Sequence, residues 1–338
     1  MNQPARIPLF RLPIIAIGEV LSTLTPFEII NLSSISLSSS NLIKLFPSIT
    51  TQYKLDIDIG TEPTVSVKGS NVYFEFKITS ENEKNGRTFF EFHDDGEETH
   101  GVFKCAENVL DDWIELFKRV NKIWKFQYIA IVLNMDAFPE DNRKIVDLIK
   151  HQNRPVSALD FYGEQEADED VLYAMSNLEV EDMVDFSVKL SDDFRPSLPE
   201  HLDKVNIEEG NWLTFEQLQK LNFPNIFIWS SNITAEQLNV LLLNWMSSES
   251  HQKLEFMKIN LNDLGSFWTL LNNLPHVFVG REIVRAFDRN GELKWISGGV
   301  DIKRNDGASC TLYLDIYQEK LMLVLLVGHP LYVVVQEI

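Results

Sequence analysis

Apolar and polar positions change period from one stretch of the chain to the next. Near the N-terminus Ile14, Ile17, Val20, Leu21 and Leu24 recur at helical spacing, which predicts an amphipathic helix over 14–23. Thr25-Pro26-Phe27-Glu28 follows. Threonine suits an N-cap, proline the first helical position, and glutamate the reciprocal place in a capping box. A second helix is therefore expected from Pro26, carrying Phe27, Ile29, Ile30, Leu32 and Ile35. A third short one, SNLIKLF, is expected to end at Pro47. Helices this short bury little surface alone. Their apolar faces need covering, by the rest of the chain or by another protein.

From 51 to 105 the period falls to two. YKLDIDI, residues 64–67, VYFEFKI and RTFFEFH read as antiparallel strands, with an acidic turn over Asp94–Glu98. Residues 107–120 return to helical spacing, with Val109, Trp113, Leu116, Phe117 and Val120 on one face. Within 106–275, strand-like runs start at Tyr128, Val156, Met183, Leu202, Asn225 and Leu254. Helix-like runs lie between most of them: EDNRKIVDLIKHQ, DEDVLYAMSNL, TFEQLQKL and TAEQLNVLLLNWM. LTFEQLQKL and ITAEQLNVL echo one another, each with threonine at the cap and glutamine three residues on. Strand–helix units recurring every roughly 20–30 residues predict a leucine-rich-repeat-like array. It is irregular, since SDDFRPSLPEH supplies no helix before the next strand. A doubly wound nucleotide-binding sheet would need a phosphate-cradling glycine pattern, and none occurs. Over 276–338 alternation resumes, with Asn290-Gly291 and Asp306-Gly307 as hairpin turns, as in a C-terminal β cap. The expected class is α+β: three N-terminal helices over 6–50, then the irregular β/α array, with antiparallel β segments at both ends of it.

Charge narrows the partners. A net −20 repels a phosphate backbone, so nucleic acid is not expected. Cys105 and Cys310 have no metal-type spacing and read as buried free thiols in a reducing compartment. Arg6, Arg11 and Ile14–Ile17 do not make a secretory leader, because Pro13 precedes the run and Glu19 interrupts it. LMLVLLVGHPLYVVV is cut by Gly328-His329-Pro330 into pieces far short of the ~20 residues a membrane helix needs. A cytoplasmic and/or nuclear protein without a membrane partner is expected. The sequence has no GxSxG, HExxH or CxxC motif. His93-Asp94-Asp95 with His100 reads as an acidic hairpin turn, and the carboxylates of Glu164–Asp170 as a solvated helix start. Trp212, Trp229, Trp245 and Trp268 read as core. Neither enzymatic activity nor a cofactor or metal is expected.

The opening stretch resembles an F-box, register for register. Leu12-Pro13 match its start. Ile17, Val20, Leu21 and Leu24 match the apolar positions of its first helix. Thr25, Pro26, Glu28, Ile29 and Ile30 match its Ser/Thr-Pro-x-Asp/Glu step, and Leu32, Ser33 and Ile35 the step after it. Ile15 stands where an acidic residue is usual, and Ser38-Ser39 where a basic–aromatic pair is usual. Further on, Thr234, Leu238, Asn239, Leu242, Trp245, Leu254 and Glu255, then Asp301, Ile302, Arg304 and Asp306-Gly307, resemble the nematode F-box-associated domain of type 2 over about 200–265 and its usual tail. The resemblance implies a substrate-recruiting adaptor of a cullin–RING ubiquitin ligase. Leu12, Pro13, Ile17, Val20, Leu21, Leu24, Pro26, Ile29, Ile30 and Leu32 would meet the Skp-type adaptor, and the repeat domain would hold a protein substrate. The greasy front edge is then expected to lie uncovered by its own molecule. Two other readings stay open: a repeat scaffold unrelated to ubiquitin, and a hydrolase with its site on loops. The concave face of the array, near 156–162, 183–190, 202–209 and 225–231, is the expected binding surface of a solenoid.

Overall fold

The computed structural model describes residues 11–50, 53–94, 96–124, 129–289 and 291–335. Arg6, Asp95, Tyr128 and Asn290, used in the sequence reading, lie outside the described residues. The chain divides into two compact units, residues 1–157 and 158–338.

The first unit opens with α1 (Ile14–Ser22), α2 (Pro26–Ile35), α3 (Leu37–Ile43) and the single turn α4 (Pro47–Thr50). The capping box of α2 is formed: the Thr25 amide donates to Glu28 Oε2 at 2.8 Å, and the Glu28 amide to Thr25 Oγ1 at 3.3 Å. The third helix begins three residues earlier than SNLIKLF suggests. Ser36 adopts extended backbone and its hydroxyl accepts from the Ser39 amide at 3.1 Å, so the cap falls there. Strands β1 (Lys54–Ile59), β2 (Thr64–Lys68), β3 (Val72–Thr79), β4 (Thr88–Phe92), β5 (Glu98–Cys105) and β6 (Ile129–Asn134) form this unit's sheet in the order β6-β1-β2-β3-β5-β4. The expected purely antiparallel segment is corrected here. β1 pairs with β6, and β3 with β5, in parallel. The chain runs out to the edge as β4 and doubles back to insert β5 beside β3. β5 escapes the alternation rule because Gly101 interrupts it. The Phe89 ring lies over that glycine, where an added Cβ would sit 1.9 Å from ring carbon. Helix α5 (Val109–Ile123) packs on β2, β3 and α2, burying Trp113, Phe117 and Val120. Helix α6 (Asn142–Lys150) follows β6.

The second unit takes up the chain within β7 (Val156–Gly163). It continues with α7 (Asp168–Asn177), β8 (Val180–Val188), β9 (Lys204–Ile207), α8 (Phe215–Lys220), β10 (Asn225–Ile228), α9 (Ala235–Met246), β11 (Phe256–Leu261) and α10 (Leu264–Leu270). β8, β9, β10 and β11 lie side by side in chain order, all parallel. Both echoing helices have formed capping boxes, Thr214 with Gln217 and Thr234 with Gln237. No helix separates β8 from β9 among the described residues. On one face of these strands Val184, Phe186, Val205, Ile207, Ile226, Ile228, Met257 and Ile259 are fully buried. Phe194 and Trp212, from the connections, pack edge-on to Phe186 and so mark that face as the covered one. α9 buries Leu238, Leu241, Leu242 and Trp245.

Antiparallel strands β12 (Val277–Arg289), β13 (Glu292–Lys303), β14 (Ser309–Tyr317), β15 (Lys320–Val327) and β16 (Tyr332–Val335) complete the unit in the order β11-β15-β14-β13-β12-β16. Pairing of β12 with β13 shifts register between Val279 and Val284. Gly298 and Gly299 lie opposite the shift at φ +70° and +116°, values that side-chain-bearing residues avoid. The bend lets the far half of this hairpin fold back, so that Phe287 and Ile296 pack on Phe256, Val324 and Leu326. β16 is an edge strand whose four side chains are all exposed.

Candidate functional site

The residues expected to meet an adaptor fall into three groups. Ile17, Leu21, Pro26, Ile29 and Ile30 are buried within their own unit. Leu12, Leu24 and Leu32 are half-buried, and Pro13 and Val20 are exposed. The expectation of an uncovered apolar front is therefore corrected for the first five. The cause is local packing. Phe27 of α2 sets its ring 4.6 Å from Phe76 and 5.6 Å from Phe74 on β3, both edge-on, and α2 also touches α3 and α5. Gly18 faces the Phe46 ring so closely that an added Cβ would sit at 2.8 Å. The apolar side chains left outside are Ile14, Ile15, Val20, Ile35, Leu37 and Leu45.

The face of β7–β11 opposite the buried one is polar and aromatic. Strand register places Asp185, Asn206, Phe227 and Lys258 in one row across four strands. A ladder of hydrogen bonds runs along it. Trp229 Nε1 donates to Asn206 Oδ1, Asn206 Nδ2 donates to Asp185 Oδ2, and Ser187 donates to Asp185 Oδ1 at 2.7 Å. Asp160 on β7 ends the ladder, and its buried Oδ1 has no hydrogen-bond donor. Burial, with Asp185's charge adding and Lys204's opposing, pushes Asp160 up to about 6. Asp185 is also raised by burial, in spite of the Asn206 and Ser187 donors.

Cations gather at the other side. Lys258 Nζ donates to Asp315 at 2.9 Å and lies 5.2 Å from the Trp229 ring and 5.0 Å from that of Tyr317. Burial works against the Asp315 charge, yet the Lys258 contact holds its carboxyl below the usual range. Arg289, carried over by the folded hairpin, stacks 3.6 Å from the Phe256 ring and 5.3 Å from Phe227. Its buried Nε has no acceptor, and desolvation lowers the guanidinium's pKa. Lys204, on β9 between the two sides, has its Nζ 5.0 Å from the same Phe227 ring and its charge acts on Asp160 and Asp185. Burial pushes Tyr313, at this end, up to about 12.

Most residues that carried the sequence resemblance serve the scaffold. Leu238, Leu242, Trp245 and Leu254 are core. Asn239 donates to the carbonyls of Leu270 and Asn272, tying α9 to the end of α10. Arg285 Nη1 donates to both carboxylate oxygens of Asp301, at 2.9 and 2.7 Å, and Nη2 donates to Gly298 O, holding the bend of β12 and β13. Arg304 grips Asp306, lies 5.2 Å from the Trp245 ring and reaches Gln252 O, while the Asn305 amide donates to Met246 O. The tail motif thus locks the β13–β14 turn onto the end of α9.

The tryptophans divide. Trp212 and Trp245 are core, Trp229 is half-buried on the open face, and Trp268 is 62% exposed, against expectation. Trp268 lies 6.0 Å from Phe278, another exposed ring. Cys310 is buried, which raises its thiol's pKa, but Cys105 is only half-buried, and its Sγ lies 3.1 Å from Asn82 Oδ1. His93 bonds Thr99 across the β4–β5 turn at 2.8 Å, and His100 lies 3.5 Å from Glu98. Among the described residues no group of three His, Cys, Asp or Glu is placed to hold a metal ion. No described helix is long and apolar enough to cross a membrane. The open-face residues Asp160, Asp185, Lys204, Asn206 and Arg289 were not singled out from sequence. The one usable signal was polar residues at every second position in strands whose alternate positions are Val, Ile or Phe.

Comparison with known protein families gives one match. Residues 193–259 match the family described as F-box associated. That segment spans β9, α8, β10, α9 and most of β11, so the chain contains an F-box-associated domain; it carries Lys204, Asn206, Phe227 and Lys258 of the open face, whereas Asp160, Asp185 and Arg289 lie outside it. Neither the curated proteins nor the solved structures give a match.

Proposed function

We infer that this chain is a substrate-recruiting subunit of a Skp–cullin–F-box-type ubiquitin ligase. α1–α3 would engage the Skp-type adaptor, and the open face of a leucine-rich-repeat-like β7–β11 array would hold the substrate protein. The observation that carries this reading is the F-box-associated match at 193–259, in a chain whose opening helices resemble an F-box. In this reading the chain performs no chemistry. It supplies proximity, and the transfer of ubiquitin belongs to other subunits.

On this reading the adaptor contacts narrow to the residues that are accessible. Pro13 and Val20, with the half-buried Leu12, Leu24 and Leu32, are within reach of a partner as the helices stand. The buried five set the shape of the bundle. The test is co-purification of the full chain with the Skp-type adaptor. Leu12→Ala with Pro13→Ala should abolish it and leave the circular dichroism unchanged. A folded double variant that still binds would remove these residues from the interface.

The burial of Ile17, Leu21, Ile29 and Ile30 and the packing of Phe27 on β3 favour a second reading, in which the helices only cap their own unit of a scaffold unrelated to ubiquitin. On that reading the unaltered chain retains no adaptor.

A further inference from the structure

The open face of the second unit is electrically divided. At the β7–β8 side stand Asp160 and Asp185, with Lys204 the nearby cation acting on both. Lys204 makes no ion pair with either carboxylate among the described residues, and Glu208's charge also acts on Asp185, so this side is net negative. Asp185 has neutral donors on both oxygens, whereas Asp160 Oδ1 has none. At the β10–β11 side Arg289 lies over Phe227 and Phe256, without a carboxylate partner among the described residues. A guanidinium stays charged at any ordinary pH, and burying one without an acceptor is costly. A hydrogen-bonding group buried without its partner carries a similar penalty. The orphaned Oδ1 and Nε are themselves out of solvent's reach, but the partly exposed carboxyl and guanidinium groups leave uncompensated negative charge at one side and an unpaired cation at the other, with the Phe227 and Trp229 rings between them.

Strand spacing sets the separation. From the middle of β7 and β8 to the middle of β10 and β11 is three strand intervals, or about 14 Å at ~4.8 Å each. An extended chain advances ~3.3 Å per residue, so about four residues span that distance. We propose that this face binds an extended segment of a partner protein bearing a Lys or Arg at the Asp160–Asp185 side and an Asp or Glu at Arg289, about four residues apart. An apolar or aromatic side chain between them would rest on Phe227 and Trp229. Because the two sides differ in sign, a purely basic or purely acidic segment complements only one of them.

This deepens the proposed function and rests on the open face being where substrate sits. Its test needs no adaptor, so its failure is distinct from a failure of adaptor co-purification. Random peptides of about 12 residues, long enough to cross the face when extended, are displayed on phage and selected against the purified full chain. Those recovered are synthesised with a fluorescent label and their binding is read by anisotropy. The expected peptides carry Lys or Arg three to five residues from Asp or Glu. Asp160→Lys should weaken them about fivefold or more, and exchanging the peptide's cation for glutamate should restore binding to that variant only. Arg289→Glu should act in the same way on the peptide's acid. Asp160→Asn and Arg289→Gln carry the test if a reversed charge disturbs folding. Recovery of no peptide, recovery of peptides lacking the paired charges, or binding indifferent to these substitutions would overturn the assignment.

Discussion

Asp160 and His251 make opposite contributions to the dependence of stability on pH. Asp160 has a folded-state pKa raised from 3.8 to about 6 by burial, so the folded chain holds its proton more tightly than the unfolded chain. Its contribution to stability is present below pH 4 and is lost as the pH rises through about 6. Asp160→Asn should therefore stabilise the protein at pH 7 by about 1–2 kcal/mol, allowing for the water that reaches this half-buried group. Urea unfolding of the variant at pH 4 and pH 7 checks the sign, because little gain is expected at pH 4. His251 is buried, its Nε2 lacks a partner, and its pKa is lowered from 6.5 to about 4. Its contribution is present above pH 6.5 and is lost as the pH falls through about 4. His251 sits at φ +52°, which asparagine tolerates, so His251→Asn is the variant of choice. It should flatten the acid side of the stability curve, as thermal melts from pH 7 down to pH 4 would show.

The three threonine-capped helix starts were the most legible features, because capping-box chemistry is local, whereas the Ser36 cap of α3 went unread. Thr25, Thr214 and Thr234 each cap as their sequence context demands. Thr234→Ala should cost about 1 kcal/mol, read as a lowered melting temperature. Strand partners were less legible. Nothing local to ETHGVFKC reveals that β5 inserts beside β3, and the Phe89–Gly101 contact that permits it joins two strands. The open-face site was legible only in its alternation. Which charges converge there depends on the hairpin bend at Gly298-Gly299, which carries Arg289 back over Phe256 from well along the chain. In the opening helices the periodicity located the apolar face without saying what covers it. Ile29→Ala, at a fully buried position, should cost about 2–5 kcal/mol, whereas exposed Pro13→Ala should shift stability within about 0.5 kcal/mol. Equal effects of the two in chemical denaturation would contradict the described packing of α2.

At the scale of the whole molecule, net charge and edge exposure act on the same property, the tendency of copies to stay apart. A charge of −20 at pH 7 keeps molecules separated by repulsion, and this falls away toward the isoelectric point near 4.7. β16 offers the sequence YVVV on an open edge, with all four side chains exposed and no charge among them. No strand pairs with its outer edge among the described residues, and the amides and carbonyls there are a template on which a further strand can grow. Mild acid therefore removes the barrier to contact while leaving the adhesive strip in place, and turbidity with a gain in β-sheet infrared absorbance should appear near pH 5. Val334→Lys should delay both with little change in melting temperature, since that edge-strand side chain is exposed. The same strip sets a practical limit on storage: concentrated stocks will keep best well above their isoelectric point.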